Sequence, residues 1–256
     1  MLLAVDVGNT QTVLGLFSEE RLAGHWRIST NASLTADELR ANVAGLLALD
    51  GLSWGDVASV ILASVVPRVT AAWEELVAIS CACDVMVVGP GLKTGMVIKY
   101  DNPHEVGADR IVNGVAAFAR FGGPVIIVDF GTATTLDVID ATGAYLGGAI
   151  APGVETSAEA LFSKAARLSK VDLEPPSAVI GTNTRMSVQA GLLLGEAAMV
   201  DGLVRRTWGE LGTETPVIAT GGLAERMATL CETIGEVDMD LTLTGLRMIF
   251  ERNSAR

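Results

Sequence analysis

Two stretches of the chain repeat one another at a spacing close to half its length. Val5-Asp6-Val7-Gly8-Asn9-Thr10-Gln11-Thr12-Val13-Leu14 meets Val128-Asp129-Phe130-Gly131-Thr132-Ala133-Thr134-Thr135-Leu136-Asp137-Val138 when the sequence is slid by 123 residues. Val5 then falls on Val128, Asp6 on Asp129, Gly8 on Gly131 and Thr12 on Thr135. In a chain of 256 residues, this predicts an internal duplication. In the second copy the apolar run Val125-Ile126-Ile127-Val128 leads into an acid, a glycine and hydroxyls, and apolar alternation resumes at Leu136 and Val138. That pattern is a strand, a tight turn and a second strand. The turn sets a carboxylate at a strand end beside hydroxyls and open backbone N–H groups, where a metal-held polyanion can sit. One such turn alone reads more simply as a polar hairpin; two of them in a duplicated chain predict two carboxylates facing one ligand.

The rest of the chain follows the same plan twice. Residues 2–7, 12–17 and 22–28 read as successive strands, and Ser33-Leu34-Thr35-Ala36-Asp37-Glu38 as a helix start with an apolar face at Leu39, Val43, Leu46 and Leu47. A buried strand over 57–66, a helix opened by Pro67 and a short strand over 85–88 complete the first set. The second set has strands over 125–129, 134–139 and 144–151, a helix after Pro152-Gly153, a long helix over about 184–210, a strand over 217–220 and a helix after Gly221-Gly222. A short link over 237–240 leads to a last helix over 241–251. We therefore expect an α/β chain of two halves, 1–117 and 118–256, each a mixed sheet with helices.

Composition excludes several classes. Half the residues are apolar and 19% are charged, as in a folded globular chain. A net charge of −12 argues against nucleic-acid or anionic-membrane partners, which need a basic field. Cys81, Cys83 and Cys231 form neither a C-x-x-C pair nor a closed disulfide set, and His25 and His104 are the only histidines, which disfavours structural zinc. The first residues lack the basic start and cleavage site of a signal peptide, and no apolar run approaches a membrane span. The expected compartment is the reducing cytoplasm.

Four further clusters carry possible chemistry. Gly89-Pro90-Gly91-Leu92-Lys93-Thr94-Gly95 lacks P-loop spacing and reads as a loop bordering a site, with Lys93 as its cation. In Tyr100-Asp101-Asn102-Pro103-His104-Glu105-Val106-Gly107-Ala108-Asp109-Arg110, Pro103 marks a turn and a helix is expected from about Glu105, which puts Asp109 and Arg110 near its N-terminal amides. Taken alone, these would be a surface acid and base on an amphipathic helix. Gly181-Thr182-Asn183-Thr184-Arg185 reads as a helix cap that also offers hydroxyls. Ala219-Thr220-Gly221-Gly222 lets a flat ring approach the backbone, or lets a helix pack closely.

Together and in this order, the two hairpins, the Gly89–Gly95 loop, Tyr100-Asp101-Asn102-Pro103, Glu105-Val106-Gly107-Ala108-Asp109-Arg110 and Ala219-Thr220-Gly221-Gly222-Leu223 resemble the type III pantothenate kinases, over essentially the whole chain. These belong to the actin-like, ribonuclease H-like superfamily. Gln11 and Met239 depart from the residues expected there, Asn and Pro. The resemblance implies ATP-dependent phosphorylation of pantothenate to 4′-phosphopantothenate, the first step of coenzyme A synthesis. It implies that Asp6, Val7, Gly8, Asn9, Thr10, Gln11, Thr12 and Val13 hold ATP phosphates, with Thr132 touching the nucleotide. It implies a pantothenate site of Tyr100, Gly107, Ala108, Asp109, Arg110 and Thr184, with Asp109 as catalytic base. Mg²⁺ would accompany ATP, and Asp129 would hold a monovalent cation, K⁺ or NH₄⁺. A homodimer is also implied, for which the apolar face Val188, Leu192, Leu193, Ala197, Val200 and Leu203 is a candidate interface. Two rival readings are another actin-like enzyme, such as a sugar or acetate kinase or an exopolyphosphatase, and a non-catalytic regulatory relative.

Overall fold

The computed structural model describes residues 1–81, 83–165, 168 and 170–254. They fall into two compact units: residues 1–96, 101–116 and 241–256 form the first, and residues 97–100 and 117–240 the second.

The first unit holds β1 (Leu2–Val7), β2 (Gln11–Ser18), β3 (Arg21–Ser29), α1 (Ala36–Leu49), β4 (Ser59–Ser64), α2 (Pro67–Ser80) and β5 (Val85–Val87). Its sheet runs β3-β2-β1-β4-β5, with β1 antiparallel to β2 and parallel to β4. Both faces of β1 are covered, which is why Leu2-Leu3-Ala4-Val5 is an unbroken apolar run. Leu3, Val5 and Val7 pack with Val43, Leu47, Trp73 and Leu76, while Leu2 and Ala4 pack on the opposite side with Val112, Leu243, Leu246 and Ile249. The period of two then carries Asp6 to the same face as Leu2 and Ala4. Helix α1 begins where its sequence signal says. Thr35 Oγ1 accepts from the Glu38 amide at 3.3 Å, and the Thr35 amide donates to Glu38 Oε2 at 2.9 Å. That reciprocal pair, led by the backbone bond, holds the Glu38 carboxyl below its ordinary range.

Helix α3 (Ala108–Phe121) starts in the first unit; a single 3₁₀ turn, Pro103–Glu105, precedes it, so the helix proper begins three residues later than the sequence suggests. The last helix, α8 (Leu241–Ser254), packs on β1, β2 and β4 of the first sheet, although it follows the second half in sequence. Gly245 makes this close approach possible: a Cβ there would lie 2.2 Å from the Val112 carbonyl oxygen of α3. Thr242 Oγ1 and Asn113 Oδ1, 2.7 Å apart, tie the same two helices.

The second unit contains β6 (Val125–Phe130), β7 (Ala133–Ile139), β8 (Tyr145–Pro152), α4 (Val154–Lys164), α5 (Thr184–Gln189), α6 (Gly195–Leu211), β9 (Val217–Thr220), α7 (Ala224–Ala228) and β10 (Glu236–Val237). Its sheet runs β8-β7-β6-β9-β10, the order of the first sheet with each strand replaced by its counterpart, and with the same parallel and antiparallel pairings. The duplication is therefore a property of the fold as well as of the sequence. The stretch expected as a link over 237–240 begins as the edge strand β10.

Helices α5 and α6 join through one π-helical turn, Ala190–Leu194, into a continuous apolar helix over 184–211, long and apolar enough to cross a membrane by length and composition. Its apolar side chains lie in the core of the unit. Val188 is buried, and Leu193, Ala197, Val200 and Val204 pack with Ile126, Val128 and Phe130. Leu192 and Leu203 lean on that same cluster. Of the face considered as a dimer interface, Leu193, Ala197 and Val200 are thus taken by the core, while Val188 and Leu192 also line a groove.

Candidate functional site

In the first unit the β1–β2 hairpin is closed by the Gly8 amide, which donates to the Gln11 carbonyl at 3.0 Å, with Val7 opposite Thr12. Asn9, Thr10 and Gln11 are exposed at its tip, whereas Thr12 is buried and shares a 2.8 Å hydroxyl bond with Thr30. The Thr30 amide also donates to the Thr10 carbonyl at 2.8 Å, so β3 braces the tip. The result is a fixed loop with a strand-end carboxylate, Asp6, behind it.

The start of α3 lies against the face of the sheet that carries Asp6: Ala108 and Val13 both lean on the cluster formed by Leu2, Ala4, Val112 and Leu246. Asn102 shapes the approach. Its Oδ1 accepts from the His104 amide at 3.3 Å, and its Nδ2 donates to Glu105 Oε1 at 2.8 Å. Asp109 Oδ1 accepts from the Arg110 amide at 2.9 Å, and Arg110 is almost wholly buried. Gly107 leaves room for the present Asp109 rotamer: a Cβ at 107 would stand 2.5 Å from Asp109 Oδ1 and displace it. Lys93, expected to border the site, has its backbone fastened to α8 by Asn253, whose Oδ1 and Nδ2 meet the Lys93 amide and carbonyl at 3.1 and 3.0 Å.

In the second unit the β6–β7 hairpin is tighter. Phe130 pairs with Thr134, and the Gly131 amide donates to the Ala133 carbonyl at 3.1 Å. The first hairpin thus has one more residue in its turn, and the uniform slide of 123 holds only as far as the glycine. By register and burial the counterpart of Thr12 is Thr134, not Thr135. Thr132 is exposed at the tip, and its carbonyl accepts from the Gly153 amide at 3.1 Å and the Thr156 hydroxyl at 2.7 Å, which locks the turn to the start of α4.

Asp129 lies beside Thr220, and Gly221, at φ +94°, abuts it; a Cβ there would lie 2.3 Å from Asp129 Oδ1. Gly221 therefore serves close packing, while the exposed Gly222 leaves bare backbone for a ligand. Tyr100 lies in this unit too, with its ring tilted 56° to that of Tyr145 at 6.3 Å. Thr184 is exposed at the first position of α5, after the Asn183 cap, and lines an open groove of about 700 Å³ with Ser187, Val188 and Leu192.

Asp6, Gly107, Ala108, Asp109 and Arg110 thus belong to the first unit, and Tyr100, Asp129, Thr132 and Thr184 to the second. Among the described residues no three His, Cys, Asp or Glu side chains converge as a metal cage. Asp6 and Asp129 each suit a cation that keeps most of its oxygen ligands from water and phosphate.

Sequence reasoning missed the buried polar residues behind the second hairpin. Glu196, 8% exposed on α6, has its carboxyl raised by burial, against which the nearby Thr134 hydroxyl is a weaker, opposing influence. Neither Glu196 Oε1 nor Thr134 Oγ1 has a hydrogen bond of good geometry, so burial decides. Burial also pushes the Cys231 thiol up to about 12, with the charges of Asp201 and Glu196 adding to it, and Cys81 likewise to about 12, with Cys83 adding. Neither thiol is a nucleophile at neutral pH.

A raised acid means that the folded state holds its proton more tightly than the unfolded chain does. The penalty from Glu196 is absent below its ordinary value of 4.5 and grows as pH rises through the folded value. Glu196→Gln should therefore raise Tm by about 2–4 °C at pH 8. The difference should close near pH 4. Equal melting of the two proteins at pH 8 in a calorimetric scan would reject this.

The sequence model of the type III pantothenate kinase family matches residues 2–206. A type III pantothenate kinase of Moorella thermoacetica is 48% identical over 254 residues, covering 99% of this chain and 100% of that protein. One of Geotalea uraniireducens is 52% identical over 254 residues, covering 99% of each. Among solved structures, a Baf family protein of Campylobacter jejuni matches with a TM-score of 0.64 at 16% identity, over 98% of both chains. Component A of the (R)-2-hydroxyglutaryl-CoA dehydratase of Acidaminococcus fermentans matches with a TM-score of 0.60 at 13% identity, over 100% of this chain and 99% of that one. At such identities the structural likeness speaks for the fold alone: two duplicated, ribonuclease H-like halves of the actin-like kind.

Proposed function

The chain belongs to the type III pantothenate kinase family, and on that premise we propose that it transfers the γ-phosphoryl group of ATP to the primary hydroxyl of pantothenate, opening coenzyme A synthesis in the cytoplasm. The observation that carries this is a likeness of about half the residues over full length, in a chain that retains the Gly107-Ala108-Asp109-Arg110 helix start.

In this reading residues 6–13 hold the phosphates through backbone amides and hydroxyls, and Thr132 touches the nucleotide. Tyr100, Gly107, Ala108, Arg110 and Thr184 bind pantothenate, the guanidinium of Arg110 suiting its carboxylate. Asp109 takes the hydroxyl proton as the oxygen attacks. The new O–P bond forms in line as the bond to the β-phosphate oxygen breaks, and ADP leaves. Asp6 would orient the Mg²⁺ that accompanies ATP, which would supply charge neutralisation at the phosphates, and Asp129 would hold K⁺ or NH₄⁺.

A coupled ADP-release assay, run with pantothenate, a panel of sugars, acetate and no acceptor, tests the assignment. Turnover with pantothenate alone supports it; turnover with another acceptor would make the chain a different actin-like kinase, and none at all a regulatory relative.

The active form in this reading is a homodimer. Its support lies in Val179 and Ile180, 74% and 82% exposed just before the Thr184 helix, rather than in the inward face of that helix. Thr184 would then serve the site of the neighbouring subunit. Light scattering should give twice the 26.6 kDa chain mass; a monomer at micromolar concentration rejects the dimer.

A further inference from the structure

A chain of contacts runs through the second unit from the Tyr100 ring, by way of Tyr145 and Asp137, to Thr135 on the strand paired with the one that carries Asp129. The Tyr145 hydroxyl donates to Asp137 Oδ1 at 2.7 Å, and both residues are fully buried. Asp137 Oδ2 accepts from the Thr135 hydroxyl at 3.0 Å, and Thr135 is the cross-strand partner of Asp129.

At the other end, Tyr145 grips the segment that delivers Tyr100. Its amide donates to the Val97 carbonyl at 2.9 Å, and its carbonyl accepts from the Lys99 amide at 2.8 Å. The Tyr100 ring lies tilted against the Tyr145 ring and directly over Gly147. Gly147 stands at φ +123°, and a Cβ there would press on the Tyr100 ring at 3.3 Å. Lys99 adds an ion pair to Asp140 at 2.7 Å. Burial opposes ionisation of Asp140, but hydrogen bonds from Lys99, Thr142 and the Ala144 amide outweigh it and hold that carboxyl well below its ordinary range. The base of the Tyr100 segment is therefore fixed at several points.

The Tyr145–Asp137 pair needs an explanation beyond packing. A phenylalanine at 145 and an apolar residue at 137 would fill the same interior without burying a carboxyl group. What the pair adds is direction. A hydroxyl that must reach a buried carboxyl group holds its ring in one orientation, and the Tyr100 ring lies tilted against that ring.

We infer that Tyr145 and Asp137 are positioning residues for the acceptor. Asp137 fixes Tyr145, Tyr145 fixes the Tyr100 ring, and through Thr135 the same carboxylate steadies the strand pair at Asp129. This rests on the assignment of Tyr100 to the pantothenate site and of Asp129 to the monovalent cation.

The test is steady-state kinetics of the full-length chain and its Tyr145→Phe and Asp137→Asn variants, with melting curves alongside. Tyr145→Phe keeps the ring and its volume. It should raise the pantothenate KM about fivefold to tenfold, with kcat and the ATP KM within about threefold of wild type. Asp137→Asn should do the same and should also raise the K⁺ concentration for half-activation. A merely structural role would lower the active fraction, and so kcat, without moving KM.

A folded Tyr145→Phe whose pantothenate KM stays within about twofold of wild type overturns the inference. Should Asp137→Asn not fold, Tyr145→Phe decides alone. A wild type inactive on pantothenate removes the kinase assignment and this inference with it, whereas an active wild type with unchanged variants removes the inference only.

Discussion

Asp109→Asn should lower kcat by about 10²-fold or more while leaving the pantothenate and ATP KM values close to those of wild type. The amide has nearly the shape of the carboxylate and can still accept from the Arg110 amide, now 2.9 Å from Oδ1, so the helix start should survive. It cannot take the proton that the acceptor hydroxyl must lose. Phosphoryl transfer relies mostly on positioning and charge, so a residue of activity should remain rather than none. Gly107→Ala offers an independent check. The added methyl would meet only the tip of the Asp109 side chain, which can swing aside at small cost in stability but at the expense of its aim. A melting point near wild type together with a kcat well below it is therefore expected. An Asp109→Asn enzyme within a few-fold of wild type would exclude the residue as base.

Replacing K⁺ or NH₄⁺ by Na⁺ or a bulky organic cation at matched ionic strength should strongly lower activity, and Asp129→Ala should weaken that dependence and the use of ATP together. ATP carries about four negative charges. The hairpins assigned to it, 6–13 and 129–135, contain neither Lys nor Arg, and each begins with an aspartate. Backbone amides and hydroxyls supply only partial charge, so cations must balance the rest. Mg²⁺ keeps much of its water and asks for few protein ligands. A larger monovalent ion tolerates the loose oxygen set that one carboxylate and nearby carbonyls provide. Gly221 matters here, because a side chain at that position would collide with Asp129 Oδ1. Equal rates in K⁺ and Na⁺ would remove the monovalent site.

The sheet plan was legible in the sequence because strands buried on both faces are written as unbroken apolar runs and because the plan is written twice. Turn chemistry was legible as well: Thr35 with Glu38, Pro67 and Asn183 all begin helices as their side chains dictate. A uniform slide could not show that the first hairpin has one extra residue, since threonines at both 134 and 135 satisfy the match and only the ladder register chooses between them. Nor could periodicity assign α8. An amphipathic helix declares that it has a buried face but not which sheet will bury it, and Gly245 against Val112 settles that only in three dimensions. The apolar stripe of α5 and α6 had the same ambiguity between core and interface, and the core took Leu193, Ala197 and Val200 of it. Asp137 and Tyr145 went unnoticed because an acid among strand residues looks exposed until its hydroxyl partners, one of them eight positions along the chain, are seen.

The position of α8 also bears on how the protein is made. Leu243, Leu246 and Ile249 cover the face of the first sheet formed by Leu2, Ala4, Phe17, Ile61 and Ala63, so the part of the chain that leaves the ribosome first is the part completed last. While residues 117–240 are synthesised, at roughly 5–20 residues per second, that apolar face is covered by Val112 and Val115 of α3 but lacks the cover of α8 for on the order of ten seconds. A nascent chain that stalls before residue 241 would present it to chaperones and proteases, however well its second sheet had already formed.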